Sequence, residues 1–250
     1  MKRRDFLPFQ FSILHFQFAK PATMNLRSKL FFGITFIAIV SLHGCKKNDP
    51  VDMHYDYFPM EQGRYITYSV REINIDDALG LNETLYYYIK TKIGDTITDN
   101  EGRVARRYER YFRDSLNQPW VLQDIWSCII TSGKAELVEE NQRTIKLVFA
   151  PTKYKEWNCN AYNMLKKLDC YYSEIHEPAS INGFSFESTV TVDLQDQEDF
   201  VDHRRQYESY AKGIGMYHKY YKDFHFSNLD TTNVVKGKEL IMRLIDYGTE

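Results

Sequence analysis

Residues 181–194 read Ile-Asn-Gly-Phe-Ser-Phe-Glu-Ser-Thr-Val-Thr-Val-Asp-Leu, and this stretch decides the fold. Asn182-Gly183 is the dipeptide best suited to a two-residue hairpin turn, because both central residues of that turn need positive φ. After it Phe186, Ser188, Val190, Val192 and Leu194 alternate strictly with their neighbours, the period of an extended strand with one covered face. Asp169–Ile175 supplies the strand on the other side of the turn.

Working outward, the same period recurs with turn-formers roughly every ten residues. Arg64–Glu72 alternates Tyr65/Thr67/Ser69 against Ile66/Tyr68/Val70. Leu85, Tyr87, Ile89, Thr91 and Ile93 share a face, as do Val104, Arg106, Tyr108, Arg110 and Phe112. Trp120, Leu122, Trp126, Cys128 and Ile130 form another such set, interrupted by Asp124 and closed by the hairpin Ser132-Gly133-Lys134. Ala135–Glu140, Ile145–Phe149, Met216–Phe226 and Glu239–Tyr247 complete the series. The pattern predicts an all-β domain over residues 55–247, antiparallel throughout, with short helical turns near Ala161–Leu168 and Phe200–Tyr207. A meander of that many strands must curl or close to protect its edges. A single strongly curved sheet or incomplete barrel with a concave face is the expected architecture, and a two-sheet β-sandwich is the alternative.

The N-terminal segment is a different material. Residues 1–44 hold six Lys/Arg and one acid, whereas the remaining 206 carry 26 basic and 33 acidic side chains. Their net charge of −7 argues against an extended nucleic-acid surface. From Met24 a short basic stretch, with Arg27 and Lys29, precedes the apolar run Leu30–Leu42, which is short for a membrane span of ~20 residues and has the order of a signal peptide. It ends in Leu42-His43-Gly44-Cys45, which resembles a bacterial lipobox, although His43 stands where a small residue is usual. The expectation is a leader over 1–44, with 24–44 as the signal peptide and 1–23 as an upstream extension of the true start. Cys45 would then carry the lipid, residues 45–54 would form a polar tether, and the protein would face the periplasm or the cell surface on a membrane anchor. Two or three acyl chains would hold it there, each buried CH₂ adding ~0.8 kcal/mol.

Five further segments occur in order: Tyr57-Phe58-Pro59 through Gly63-Arg64-Tyr65, Asp124-Ile125-Trp126, Lys146–Pro151, Trp157–Asn163 and Tyr210–Met216. Together they resemble a family of uncharacterised lipoproteins from Bacteroidota. The resemblance implies an extracytoplasmic envelope protein and carries no activity with it. Where that pattern has a small Asp-Gly turn after Trp157, this chain has Asn158-Cys159, and Cys170 lies eleven residues on. Two thiols replacing a turn in an oxidising compartment suggest a Cys159–Cys170 disulfide, two unpaired buried thiols being the alternative. Cys128, in phase with Trp126 and Ile130, reads as a core residue.

Signatures of catalysis and of cofactor binding are missing: no nucleophile elbow, no His-Glu-x-x-His, no Walker loop, no Cys-x-x-Cys. No catalytic residue and no cofactor are therefore assigned. Gly213-Ile214-Gly215 reads as a bulge or close-approach point in a strand. Asp193, Asp196 and Asp199 lie in the densest acidic stretch, with Glu198 and Asp202, which could hold Ca²⁺ but lacks the glycine and alternation of an EF-hand loop, so a solvated connection is the plainer reading. Of the histidines past the leader, no pair has ligand spacing, and His218 and His225 read as surface residues. Thirty of the 206 residues after the leader are Phe, Trp or Tyr, with runs such as Tyr86-Tyr87-Tyr88 that must place rings on both faces of a sheet. The leading expectation is a non-catalytic binding module for an amphiphile, a glycan or a partner protein. An envelope or polysaccharide hydrolase with dispersed carboxylates and a structural envelope component are the alternatives.

Overall fold

The structure is a computed structural model that describes residues 50–227 and 229–250. The leader, the lipobox residues Leu42, Gly44 and Cys45, and the tether up to Asp49 lie outside the described residues. Val51–Glu250 form one compact unit.

Twelve strands follow in chain order. The first half comprises β1 (Arg64–Asp76), β2 (Leu81–Thr98), β3 (Val104–Arg113), β4 (Val121–Thr131), β5 (Lys134–Glu139) and β6 (Gln142–Val148). The second comprises β7 (Glu156–Asn158), β8 (Asp169–Ile181), β9 (Phe184–Glu198), β10 (Asp202–Ala211), β11 (Gly215–Ser227) and β12 (Asp230–Thr249). They make a single antiparallel sheet ordered β6-β5-β4-β3-β2-β1-β12-β11-β10-β9-β8-β7. Two meanders thus run outward from the middle, where the first and last strands pair from Arg64↔Thr249 to Asp76↔Lys236. The sheet curls until its two edges, β6 and β7, face each other, giving a barrel that is nearly closed with one seam. The expected incomplete barrel is what forms, and no sandwich does.

At that seam the ladder is replaced by single bonds and side chains. Ile145 N–H donates to Cys159 O at 2.9 Å, and the Trp157 indole donates to Ile145 O at 3.0 Å. The Tyr172 hydroxyl accepts from Val148 N and donates to Val148 O, both at 3.0 Å, standing in for a missing strand partner. Cys159 and Cys170 are bonded beside it, their Cα atoms 6.0 Å apart, within the span a disulfide requires.

The barrel interior holds the main core. Leu137, Leu147, Phe149, Val190, Val192, Tyr172 and Cys128 are buried there, each large apolar side chain contributing ~1.5–3 kcal/mol relative to exposure. Burial pushes the Cys128 thiol up to about 12, so it stays protonated and inert, as a core residue should. The short turn Tyr55–Tyr57 and Phe58 close one end, with the Tyr57 hydroxyl bonded to Ser188 Oγ at 2.7 Å and to His176 Nδ1 at 2.8 Å. A smaller cluster of Phe186, Ala211, Tyr217 and Leu244 forms where the tip of the β8–β9 hairpin packs across β11 and β12, and Asn182 Nδ2 donates to Leu244 O there.

Asn182 and Gly183 both adopt positive φ and join Ile181 directly to Phe184, the two-residue turn their sequence calls for. The two short helices do not form. Asn158 and Asn163 side chains cap backbone N–H groups through residues 160–168, giving turns that compete with a helix. Asp202–Tyr207 has strand partners on both sides, and that pairing overrides local preference. The only helical pieces among the described residues are the 3₁₀ turns at Tyr55–Tyr57 and Asp77–Leu79.

Several strands carry an extra residue that reverses the in-out alternation. In β4 the pairs Arg110↔Asp124 and Tyr111↔Leu122 leave Gln123 over. Trp120 and Leu122 consequently leave the face expected for them: Trp120 lies outside under Lys90 and Arg113, while Trp126 and Cys128 stay inside. Equivalent extra residues include Lys146 in β6, Leu194 in β9, Tyr217 in β11 and Ile245 in β12.

Candidate functional site

A cavity of about 350 Å³ lies inside the barrel, between the plugged end and the long strands β1, β2, β11 and β12. Ile66, Ile89, Ile93, Leu137, Leu240 and Met242 give it an apolar wall. Aromatic walls come from Phe58, Tyr108, Trp126 and Tyr210, with Tyr108 and Trp126 stacked at 6.3 Å between centroids.

Charged side chains interrupt this lining, and the most buried of them gather around Glu208. Glu208, 4% exposed, accepts from Lys146 Nζ at 3.1 Å and Lys219 Nζ at 3.0 Å through one oxygen, and from the Tyr210 hydroxyl at 2.6 Å through the other. Glu139 approaches Lys146 from the far side at 3.5 Å. Burial by itself would raise the Glu208 carboxyl, but the two ammonium groups and the Tyr210 hydroxyl outweigh it and hold the group well below the usual carboxylate range. Burial would likewise lower Lys146, and Glu139 and Glu208 instead keep it above its ordinary value. Glu208 and Lys146 are therefore charged at neutral pH. Removing one member would leave a buried charge uncompensated, a cost of ~3–5 kcal/mol.

No known protein family, curated protein or solved structure matches this chain. The reading of the site rests on its own geometry.

Local structure brings the cluster together in a way that alternation could not reveal. Lys146 sits between Ile145 and Leu147, both buried, and a regular β6 would point it away from them. It is the extra residue between Glu136↔Ile145 and Ala135↔Leu147, and this turns it into the cavity. Met216 and Lys219 lie three apart, yet both line the cavity because Tyr217 is the extra residue of β11. Gly213 and Ile214 belong to the β10–β11 hairpin turn, and Gly215 opens β11, paired with Ala211. The close approach is real, since a Cβ on Gly215, at φ +106°, would meet Ile66 Cδ1 at 3.3 Å.

The other sequence candidates are dispersed. Asp193 is buried against Arg205, Asp196 is exposed with Arg205 at 3.8 Å, and Asp199 accepts from the backbone of Val201 and Asp202 as a turn cap. Among the described residues no three His, Cys, Asp or Glu side chains meet as a metal site. His54 and His176, 122 residues apart in sequence, come within 4.6 Å between ring centroids. His218 is not a surface residue: it is half-buried against Tyr207, and burial reinforced by Arg243 pulls it down to about 4. Each tyrosine run does divide between faces. Tyr86 is exposed, Tyr87 turns inward to bond Glu72 at 2.6 Å, and Tyr88 lies outside with Arg113 over its ring.

Proposed function

We propose that this chain is a non-catalytic binding module, lipid-anchored through Cys45 outside the cytoplasm, which takes a small amphiphile into the barrel. The observation that carries this reading is the 350 Å³ cavity, apolar and aromatic over most of its wall and carrying a limited set of charged side chains, the make-up of small-molecule sites. At the ~30 Å³ that a water molecule takes in the liquid, it has room for about a dozen heavy atoms. The carboxylates that meet there favour holding over chemistry. Glu208 and Glu139 converge on Lys146 rather than on open space, and a carboxylate kept ionised by two lysines is a poor proton donor. The Cys159–Cys170 bond and the leader sequence both suit an oxidising compartment.

Calorimetric titration of the purified full chain with dodecanol, below its solubility limit, and dodecanoate, below its micellar concentration, tests the cavity. At least one should bind at one site and quench Trp126. Leu240→Trp, which fills the cavity from its wall, should weaken that binding at least tenfold. Failure of both ligands to bind the unaltered chain would remove the reading. For the anchor, mass spectrometry of the cell-derived protein should find an acylated Cys45 at its N-terminus.

A further inference from the structure

We propose that the cavity selects an amphiphile with a carboxylate head, seated on the Lys219 and Lys146 ammonium groups, its chain lying along the wall of Ile89, Leu240 and Met242. This rests on the cavity reading above and adds the chemistry of the head.

Three observations lead there. First, charge: five cationic side chains, Arg64, Lys92, Arg110, Lys146 and Lys219, line the cavity against three carboxylates, Glu139, Glu140 and Glu208. The domain around it is acidic, so this excess is local. Of the partners of the first three cations, Glu61 and Glu250 are exposed enough for water to screen them and offset the excess weakly, while Asp124, 23% exposed and 2.6 Å from Arg110, neutralises that charge and leaves four cations against three carboxylates.

Second, donors outnumber acceptors. Both oxygens of Glu208 are occupied, one by two lysines and one by Tyr210. An ammonium group has three N–H donors. Lys219 has Glu208 as its acceptor among the described residues, leaving two donors for a ligand. Lys146 has Glu208 in hydrogen-bond range and Glu139 at 3.5 Å. A head that accepts hydrogen bonds completes this cluster; one that donates is left with the remaining lone pair on the Glu208 oxygen that Tyr210 already bonds.

Third, Glu208 is a positioning residue. It is almost fully buried and shared between two lysines, so it fixes both ammonium groups at one spot on the wall. A carboxylate offers two oxygens to two ammonium groups, and such charge-assisted bonds are about twice as strong as neutral ones. The lysines differ in what they can give up. Lys146 is 11% exposed and pulled by two carboxylates, whereas Lys219 is 29% exposed and shares one, so Lys219 makes the main contact.

The test compares three twelve-carbon ligands of equal chain: dodecanoate, dodecanol and dodecyltrimethylammonium, titrated calorimetrically into the full chain below the micellar concentrations of the two ions and the solubility limit of the alcohol. Dodecanoate should bind about tenfold or more tighter than dodecanol, the difference one charge-assisted bond makes, and the ammonium ligand weakest. Lys219→Met should bring dodecanoate to within about threefold of dodecanol. Lys219→Arg should keep the preference. Equal binding of acid and alcohol by the unaltered chain, or tighter binding of the cation, would overturn the head-group assignment and leave the cavity reading standing. No binding by any of the three would overturn both. The comparison on the unaltered chain needs no variant to fold.

Discussion

The barrel is closed in two ways. In the middle of the sheet β1 and β12 pair continuously over thirteen residues of β1, with one extra residue to absorb. At the opposite side β6 meets the β7–β8 edge through one backbone bond and the side chains of Trp157, Tyr172 and Asn163, and the Cys159–Cys170 bond braces that edge by tying the end of β7 to β8. Chain order explains the difference. The terminal strands close the middle, where each has a partner on both sides, and the edges fall in mid-sequence, where β7 is three residues long. A short edge offers little ladder, and the contacts that replace it come from residues whose side chains can imitate a strand, Tyr172 above all. The wall is stable as a unit; the seam is stable contact by contact.

Three experiments sharpen that contrast. The largest effect is expected in the wall. Tyr68 is fully buried and its hydroxyl bonds Met216 O at 2.8 Å, so Tyr68→Ala should cost ~3–5 kcal/mol in urea unfolding and lower the whole transition. A cost below ~1 kcal/mol would mean that the wall is no stiffer than the seam.

Next is the disulfide. It closes a loop with a sequence separation of 11, for which loop-closure entropy gives ~3 kcal/mol. Replacing Cys159 and Cys170 with Ser should lower stability by about that amount. Hydrogen exchange should quicken at Ile145 and Val148 more than at Tyr68 and Val70. Uniform acceleration would show that seam and wall open together.

The smallest effect is pH dependence from the wall. His218, on β11, titrates in the fold at about 4, below its ordinary value of 6.5. Between these values the unfolded chain binds the proton and the folded one does not, so stability falls as pH drops from about 6.5 towards 4. His218→Phe, which keeps the contact with Tyr207 and cannot titrate, should flatten the part of the pH profile above about pH 5, read as the urea midpoint at about pH 7 against about pH 5. An unchanged slope would place His218 in water rather than in the packed face.

Much of the architecture was legible in the sequence. Asn182-Gly183 marked its turn, strict alternation in 184–194 marked its strand, and the position of Cys159 and Cys170 marked their bond. The helices expected over 161–168 and 200–207 failed because asparagine caps and strand partners lie beyond what a local window contains. A concave face was expected from the strand pattern, but the charged cluster inside it was not legible. Lys146, Glu208 and Lys219 come from three strands and look like ordinary solvated charges wherever they stand in the chain.

What the sequence determined by itself is the element type: residues with period two and turn-formers between them favour an antiparallel sheet, and a long one must curl. What the tertiary structure decided is which way particular side chains face. One extra residue in a strand reverses the alternation, and nothing in the residues around Lys146 or Tyr217 marks them as extra. That choice belongs to the neighbouring strands, whose hydrogen bonds and twist fix where the surplus residue is absorbed. Because of it, two lysines meet one buried glutamate inside an apolar barrel.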